Sequence, residues 1–224
     1  MEKKIIIITP ASRIKNLKII KKSINFDFIF KWIIVYDEHK IKKNFQYFEK
    51  NNQIVEFTYL SKSNEVWGHG QRNFGLEHIK KEYSNDNIFV HFLDDDNVVH
   101  PNFYNLAKRF QKNYLYTFDQ QRTRYILSGS NPKPHYIDTS MFVVDFGIVN
   151  EIRFTGDKHY GDGIYIEDCI KKNINSHVYI EETGCYYNYL KRNIFGRTLN
   201  RMYWFLKIFF LKLFGKQIKK QLKP

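Results

Sequence analysis

The sequence predicts an α/β fold: a mostly parallel central sheet flanked by helices, followed by a basic amphipathic helical tail. Three observations predict it. Short apolar, β-branched runs of the kind buried on both faces of a parallel sheet recur through the first hundred residues. Helix-spaced segments separate them at a repeat of roughly 25 to 30 residues, as in successive βαβ units. Polar residues follow the apolar runs directly, where open α/β sheets bind their ligands.

Ile5-Ile6-Ile7-Ile8 is the first strand, running into a loop at Thr9-Pro10. Ser12 to Ile24 carries Ile14, Leu17, Ile20 and Ile24 at helical spacing. Trp32 to Tyr36 is the second strand and stops at Asp37. Residues 40–50 are polar apart from Phe45 and Phe48 and are expected to be helical. Ile54 to Leu60 is a third strand, Gly70 to Tyr83 a helix, and Ile88 to Leu93 a fourth strand that ends at Asp94-Asp95-Asp96. The second half is less regular. Ser128 to Pro132 marks a turn, Met141 to Val144 a strand, residues 164–172 a helix and Val178 to Ile180 a short strand. Thr9, Asp37 and Asp94 to Asp96 are therefore expected to converge at the carboxyl ends of parallel strands.

The chain has 224 residues, 43% of them hydrophobic, enough for one large domain with an ordinary core. Its net charge of +13 suits phosphates, anionic lipids or nucleic acid without choosing among them. Cys169 and Cys185 are too few for a disulfide framework and are expected as reduced thiols of a cytoplasmic protein. The start lacks the apolar length and cleavage site of a signal peptide. No run reaches the ~18 apolar residues of a spanning helix.

Asp94-Asp95-Asp96 is the sharpest chemical signal. Three adjacent carboxylates in a crevice repel one another, and leaving them unpaired raises their pKa values. A hard divalent cation, Mn²⁺ or Mg²⁺, relieves that cost, and a nucleotide diphosphate completes its oxygen shell. A solvated acidic turn or a helix cap is the bland alternative. The strand Ile88 to Leu93 immediately before the triplet weighs against it.

The motifs, in order, are Ile7-Ile8-Thr9-Pro10, Ile33 to Asp37, Gly68-His69-Gly70-Gln71-Arg72-Asn73, Phe92 to Asn97, Ile137-Asp138-Thr139-Ser140 and Ile166-Glu167-Asp168. Over about residues 5 to 190 the chain resembles glycosyltransferases of the GT-A (Rossmann-like) fold. The Gln-Arg-Asn and Asp-Asp-Asp-Asn segments are similar to eukaryotic glucuronyltransferases, and the Ile-Asp-Thr-Ser and Glu-Asp segments to bacterial family 2 enzymes. The resemblance implies a domain over residues 1–195, with a nucleotide-binding half (1–100) and an acceptor-binding half (101–195). It implies that Thr9, Pro10 and Asp37 border the nucleotide base, that Arg72 contacts base or phosphate and that Asn73 supports the loop. It also implies that Asp94 and Asp95 hold the ribose and orient the metal site, while Asp96 ligates the metal. The expected partners are a nucleotide-sugar donor, with UDP-sugar foremost, and a glycan or lipid-linked acceptor in bacterial surface polysaccharide or lipooligosaccharide synthesis.

Direct displacement at an anomeric carbon needs a carboxylate to take the acceptor proton. Gly161 to Asp168, a glycine-bracketed loop entering a helix, supplies the candidates. The resemblance implies Asp168 as the base, with Glu167 in reserve, and hence inversion. Related enzymes often carry a late histidine as a metal ligand. Here Gly184 to Tyr189 has none, and His159 and His177 lie before it. Asp138 is a candidate for acceptor or donor hydroxyls, and Trp67 and His69 for the border of the sugar.

Residues 197–224 alternate aromatic runs with lysine and arginine and contain no acid. Such a basic amphipathic helix suits an anionic membrane interface, placing the protein peripherally on the inner membrane. A terminal helix packing on the domain is the alternative. Two other functions remain open. A nucleotidyltransferase would favour a glycine in the loop Thr9 to Arg13, which has none. A nucleic-acid binder would spread its charge along a groove, whereas much of the excess lies in the tail, so no nucleic acid is expected.

Overall fold

A computed structural model describes residues 2–42, 44–63, 65, 67–83, 87–155 and 160–190. The elements run β1 (Lys3–Ala11), α1 (Ile14–Ser23), β2 (Ile29–Asp37), β3 (Ile54–Tyr59), α2 (His69–Tyr83), β4 (Asn87–Phe92) and β5 (Val98–Val99). There follow α3 (Phe103–Lys108), β6 (Leu115–Gln121), β7 (Ile126–Leu127), a short 3₁₀ turn (Thr139–Met141), β8 (Phe142–Asp145), α4 (Phe146–Val149), α5 (Gly161–Lys172) and β9 (His177–Tyr186).

One sheet collects the strands in the order β3-β2-β1-β4-β8-β6-β9-β5, with β7 paired to β6. The first four are parallel: β1 lies between β2 and β4, and β3 flanks β2. The later strands mix senses, since β8 is antiparallel to β4 and β6, while β6 and β9 are parallel. This is a Rossmann-like α/β fold of the GT-A kind. Ile6, Ile7, Ile8 and the whole run Trp32 to Tyr36 are fully buried, as strands covered on both faces must be. The register sets Ile8 beside both Ile33 and Phe92, so the ends of β1, β2 and β4 open side by side. Strand order reverses direction around β1, the position at which open sheets form a binding crevice.

Residues 40–50 are irregular, contrary to the expected helix. The carboxylate of Glu56 on β3 accepts the backbone N–H groups of Tyr47 (2.8 Å) and Phe48 (3.1 Å). Asn44 takes a positive φ of 59°. Phe45 packs on Tyr36 and Phe48 on Trp32, so the apolar residues still reach the core without helical spacing. Helix α5 begins at Gly161, earlier than the sequence suggested, and β9 extends well beyond Val178 to Ile180. β6 has no counterpart in the sequence analysis. The proposed tail, 196–224, lies outside the described residues. Among the described residues, no helix is long and apolar enough to cross a membrane.

His91 on β4 is fully buried between Phe103 and Phe118, with Nδ1–H donating to the Phe142 carbonyl at 3.0 Å. Burial pushes its pKa down to about 4 from 6.5. The unfolded chain therefore takes up this proton first. The His91 contribution is intact above pH ~6.5 and is lost as pH falls toward 4, by about 3 kcal/mol. Denaturant unfolding of His91→Phe should show a correspondingly flatter stability profile between pH 7 and 4. Parallel profiles for the two proteins would show that His91 does not titrate this way.

Candidate active site

A cleft of about 690 Å³ opens over the ends of β1, β2 and β4, with Pro10, Asp37, Trp67 and the three aspartates in its walls. The β1–α1 connection is fastened to the triplet. Asp95 accepts the backbone N–H groups of Ser12 and Arg13, each at 2.6 Å, and the Ser12 hydroxyl at 3.0 Å. Asn16 Nδ2 donates to the Asp95 carbonyl at 2.7 Å. The Arg13 guanidinium then bridges Asp95 and Asp96, reaching Asp96 Oδ2 at 3.0 Å. Two strand ends distant in sequence are thereby closed into one wall by charge-assisted bonds.

The opposite wall is organised by Arg72 on α2, which is 2% exposed. Its Nη1 donates to the Trp67 carbonyl at 2.8 Å, and Nη2 binds the Asp94 carboxylate and Thr139 Oγ1 (3.4 Å). The Phe154 ring lies 5.3 Å from the guanidinium carbon. Gly68 makes the turn before α2 possible: its φ is +80°, and a Cβ there would lie 2.8 Å from Pro10 Cβ. Trp67 also holds a positive φ, 57°, and stands 69% exposed at the cleft rim. A left-handed bulky residue costs energy, and the bond from Arg72 to its carbonyl offsets part of that cost.

Asp162, in the first turn of α5, completes the cluster. Its Oδ1 lies 4.0 Å from both Arg72 Nη1 and His69 Nε2. Glycines on either side permit this approach. A Cβ on Gly161 would lie 2.3 Å from the His69 ring, and one on Gly163 would lie 2.5 Å from the Pro134 backbone. Burial pushes the Asp162 carboxyl up to about 7; Arg72 opposes the rise, while the charges of Asp94 and Asp138 add to it. A carboxyl so placed can exchange a proton near neutrality. Asp138 is raised by burial and by Asp94. It accepts bonds from the Ser140 hydroxyl (2.6 Å), Ser140 N–H (3.1 Å) and Gln120 Nε2 (2.9 Å).

The residues singled out in the sequence separate into two groups. Pro10, Asp37, Trp67, Asp94, Asp95 and Asp96 share the cleft, and Arg72 braces its wall. Thr9 does not join them: it is fully buried, and its hydroxyl accepts from Trp32 Nε1 at 2.9 Å. β1 runs on to Ala11, so Thr9 lies inside the strand rather than at its end. Asn73 pairs with the Phe154 backbone through two bonds of 2.9 and 2.8 Å, holding the segment that leads toward α5. Glu167 pairs with Lys171 at 3.3 Å. At ~100° per residue, Glu167 and Asp168 sit roughly 140° and 240° round α5 from Asp162. Tyr165, Ile166 and Cys169 hold the buried face, so the helical phase that brings Asp162 to the cluster turns Glu167 and Asp168 away. His177 Nε2 lies 2.8 Å from the Thr117 hydroxyl, outside the cleft, and His159 lies outside the described residues. Ser12, Arg13 and Asp162 join the site without having been singled out from the sequence. The acid between Gly161 and Gly163 was visible as a signal; Arg13 had none beyond its place after β1.

No three His, Cys, Asp or Glu side chains among the described residues group into a protein-only metal cage. Both oxygens of Asp95 are committed to Ser12 and Arg13. Asp94 and Asp96 present carboxylates at the cleft wall, a donor set that fits Mg²⁺ or Mn²⁺ when phosphate oxygens complete the shell.

Neither models of protein families nor curated proteins match this chain. Solved structures do. S. aureus TarS, residues 1–349 in complex with UDP-GlcNAc, superposes with a TM-score of 0.51 at 13% identity over 82% of this chain and 58% of that one. The chain thus spans less than two thirds of that structure's length. A Bacillus anthracis protein described as a glucose-1-phosphate thymidylyltransferase, in complex with sucrose, gives 0.47 at 13% identity over 89% and 96%. A glycosyltransferase involved in glycosylation of the major capsid of PBCV-1 gives 0.43 at 11% identity over 80% and 82%. At these identities, the first match speaks for the fold alone.

Removing Arg72 leaves Asp94 without its cation and the Trp67 carbonyl without its donor. Arg72→Ala should destabilise the protein by about 3–5 kcal/mol, the cost of breaking a buried pair. Arg72→Met, of similar volume, should recover only the packing share. Equilibrium urea unfolding measures both; a loss below about 1 kcal/mol would show that the guanidinium is not structural.

Proposed function

We propose that the chain is a metal-dependent glycosyltransferase that moves a sugar from a nucleotide-diphosphate donor to a glycan or lipid-linked acceptor with inversion. The observation that carries this is the Arg72 guanidinium, which binds Asp94 of the cleft wall and lies 4.0 Å from a second carboxyl, Asp162, that burial pushes up to about 7. The UDP-GlcNAc bound by TarS supports a UDP-sugar as the donor.

In this mechanism Asp37 and Pro10 border the base, and Arg72 fixes Asp94 so that the cleft is preorganised before ligand arrives. Asp96, with Asp94 beside it, would hold Mg²⁺ or Mn²⁺, which would supply positive charge for a departing diphosphate. Asp162 takes the proton of the acceptor hydroxyl, in place of Asp168. Trp67 offers an exposed aromatic face at the rim for a sugar ring. Asp138, saturated with donors, orders the acceptor side through Ser140 and Gln120. The basic segment 197–224 would hold the enzyme peripherally at a membrane where a lipid-linked acceptor resides. A nucleotidyltransferase would need backbone amides after β1 for a triphosphate. The amides of Ser12 and Arg13 are spent on Asp95, which disfavours that reading.

UDP with Mn²⁺ at about a hundredfold over Kd should stabilise the protein by ~2.7 kcal/mol in thermal unfolding. Asp96→Ala should abolish the metal-dependent part. No shift with any nucleotide diphosphate would sink the proposal. Asp162→Asn should lower kcat by about 10²–10⁴ with nucleotide affinity retained, whereas Asp168→Asn should cost a few-fold at most. Because Asp162 must be ionised to accept the proton, kcat/KM of the wild type should fall as pH drops through about 7. The reverse ranking of the two variants would return the base to Asp168.

A further inference from the structure

The β6–β7 hairpin carries an arginine that the proposed chemistry does not use. Arg122 follows β6 directly, and its backbone N–H donates to the Tyr125 carbonyl at 2.9 Å to close the hairpin. Its guanidinium carbon sits over the Tyr187 ring, 3.9 Å from the ring centre, with the Tyr125 ring centre at 5.9 Å. Nε donates to Gln120 Oε1 at 3.1 Å and Nη1 to the Tyr125 hydroxyl at 3.4 Å. Gln120 in turn donates to Asp138 at 2.9 Å, so the guanidinium stands two hydrogen bonds from the acid cluster of Asp138, Asp94 and Asp162. Its charge is felt there, since it lowers the pKa of Asp138 against the pull of burial.

This geometry is expensive for a merely structural residue. Holding a long side chain in one rotamer costs about 1.5–2 kcal/mol, and stacking desolvates one face of the cation. Yet among the described residues no carboxylate forms an ion pair with Arg122, and Nη2 donates to no group. The fork is pinned in plane and orientation with one edge unspent. Pinned planar donors of this kind suit the two oxygens of a phosphate or carboxylate. Arg124, exposed at the hairpin tip, adds positive charge without competing for that edge.

We propose that Arg122, stacked on Tyr187 and aligned by Gln120, is an anion-binding subsite on the acceptor side of the cleft, selecting acceptors that carry a phosphate or carboxylate near the reacting hydroxyl. That the anion belongs to an acceptor rests on the glycosyltransferase reading; the anion site itself does not. Tyr125 and Tyr187 flank the subsite with aromatic faces suited to the sugar that bears the charge.

The test titrates glucose 6-phosphate, glucuronate and methyl glucoside into the full chain, following chemical shifts by NMR, with UDP and Mn²⁺ present to fill the donor cleft. At least one charged probe should bind ten-fold or more tightly than methyl glucoside, and which one identifies the anion as phosphate or carboxylate. Arg122→Gln should erase that preference, and Arg122→Lys should restore only part of it, because an ammonium lacks the fork. Equal binding of charged and neutral probes would overturn the subsite, as would a preference that survives Arg122→Gln. UDP binding, measured on the same samples, should not change in either variant. Failure of the wild type to bind UDP would count against the transferase reading while leaving the anion result interpretable.

Discussion

The site depends on one buried cation. Arg72 joins the Trp67 carbonyl, Asp94 and Thr139, and lies within 4.0 Å of Asp162. These groups come from α2 and its leading turn, the end of β4, the turn before β8 and the start of α5. Without a positive charge at their meeting point, Asp94, Asp138 and Asp162 would crowd three carboxyls into a poorly solvated space. Burial pushes the Asp162 carboxyl up to about 7, and the guanidinium opposes that rise. The same guanidinium secures Trp67 in its left-handed conformation at the rim. One guanidinium thus sets the geometry of the site and moderates the effect of burial on Asp162.

Arg13 plays the matching part on the other wall. The sequence suggested three uncompensated carboxylates whose repulsion a metal must relieve. The fold relieves it first with arginine: Asp95 is consumed in fastening the β1–α1 connection, and Asp96 shares Arg13 with it. The triplet is therefore three residues with three tasks. Asp95 builds the wall, Asp94 links it to Arg72, and Asp96 shares the Arg13 guanidinium at the cleft.

The two halves of the sheet contribute differently. The parallel half, buried on both faces, holds three strand ends in register and makes the cleft. The mixed half delivers polar groups through turns: Asp138 and Thr139 before β8, Gln120 and Arg122 from β6, and Asp162 from α5. A chain of bonds through Gln120, Ser140 and Asn97 runs from the β6–β7 hairpin to the residue after the triplet, and Asn188 N–H donates to Asn97 Oδ1 at 2.7 Å.

Much of the fold was legible in the sequence because its signals are local. Ile5 to Ile8, Trp32 to Tyr36 and Ile88 to Leu93 are apolar runs that only a two-sided buried strand satisfies, and the helix-spaced segments between them imply parallel crossovers. The placing of Asp37 and the triplet at strand ends followed from that pattern. What eluded the sequence was set by distant partners. Residues 40–50 are polar enough for a helix, but Glu56 takes their amides. Thr9 looks like a strand terminus, but Trp32 claims its hydroxyl within a longer strand. Asp162 rather than Asp168 faces Arg72 because of the phase of α5, and the close approach of His69 and Pro134 there admits only glycine at 161 and 163. The sequence by itself determined which segments pair and where acids gather. Only the tertiary structure decided which acid meets which arginine, because such pairing is settled by contacts between residues tens of positions apart.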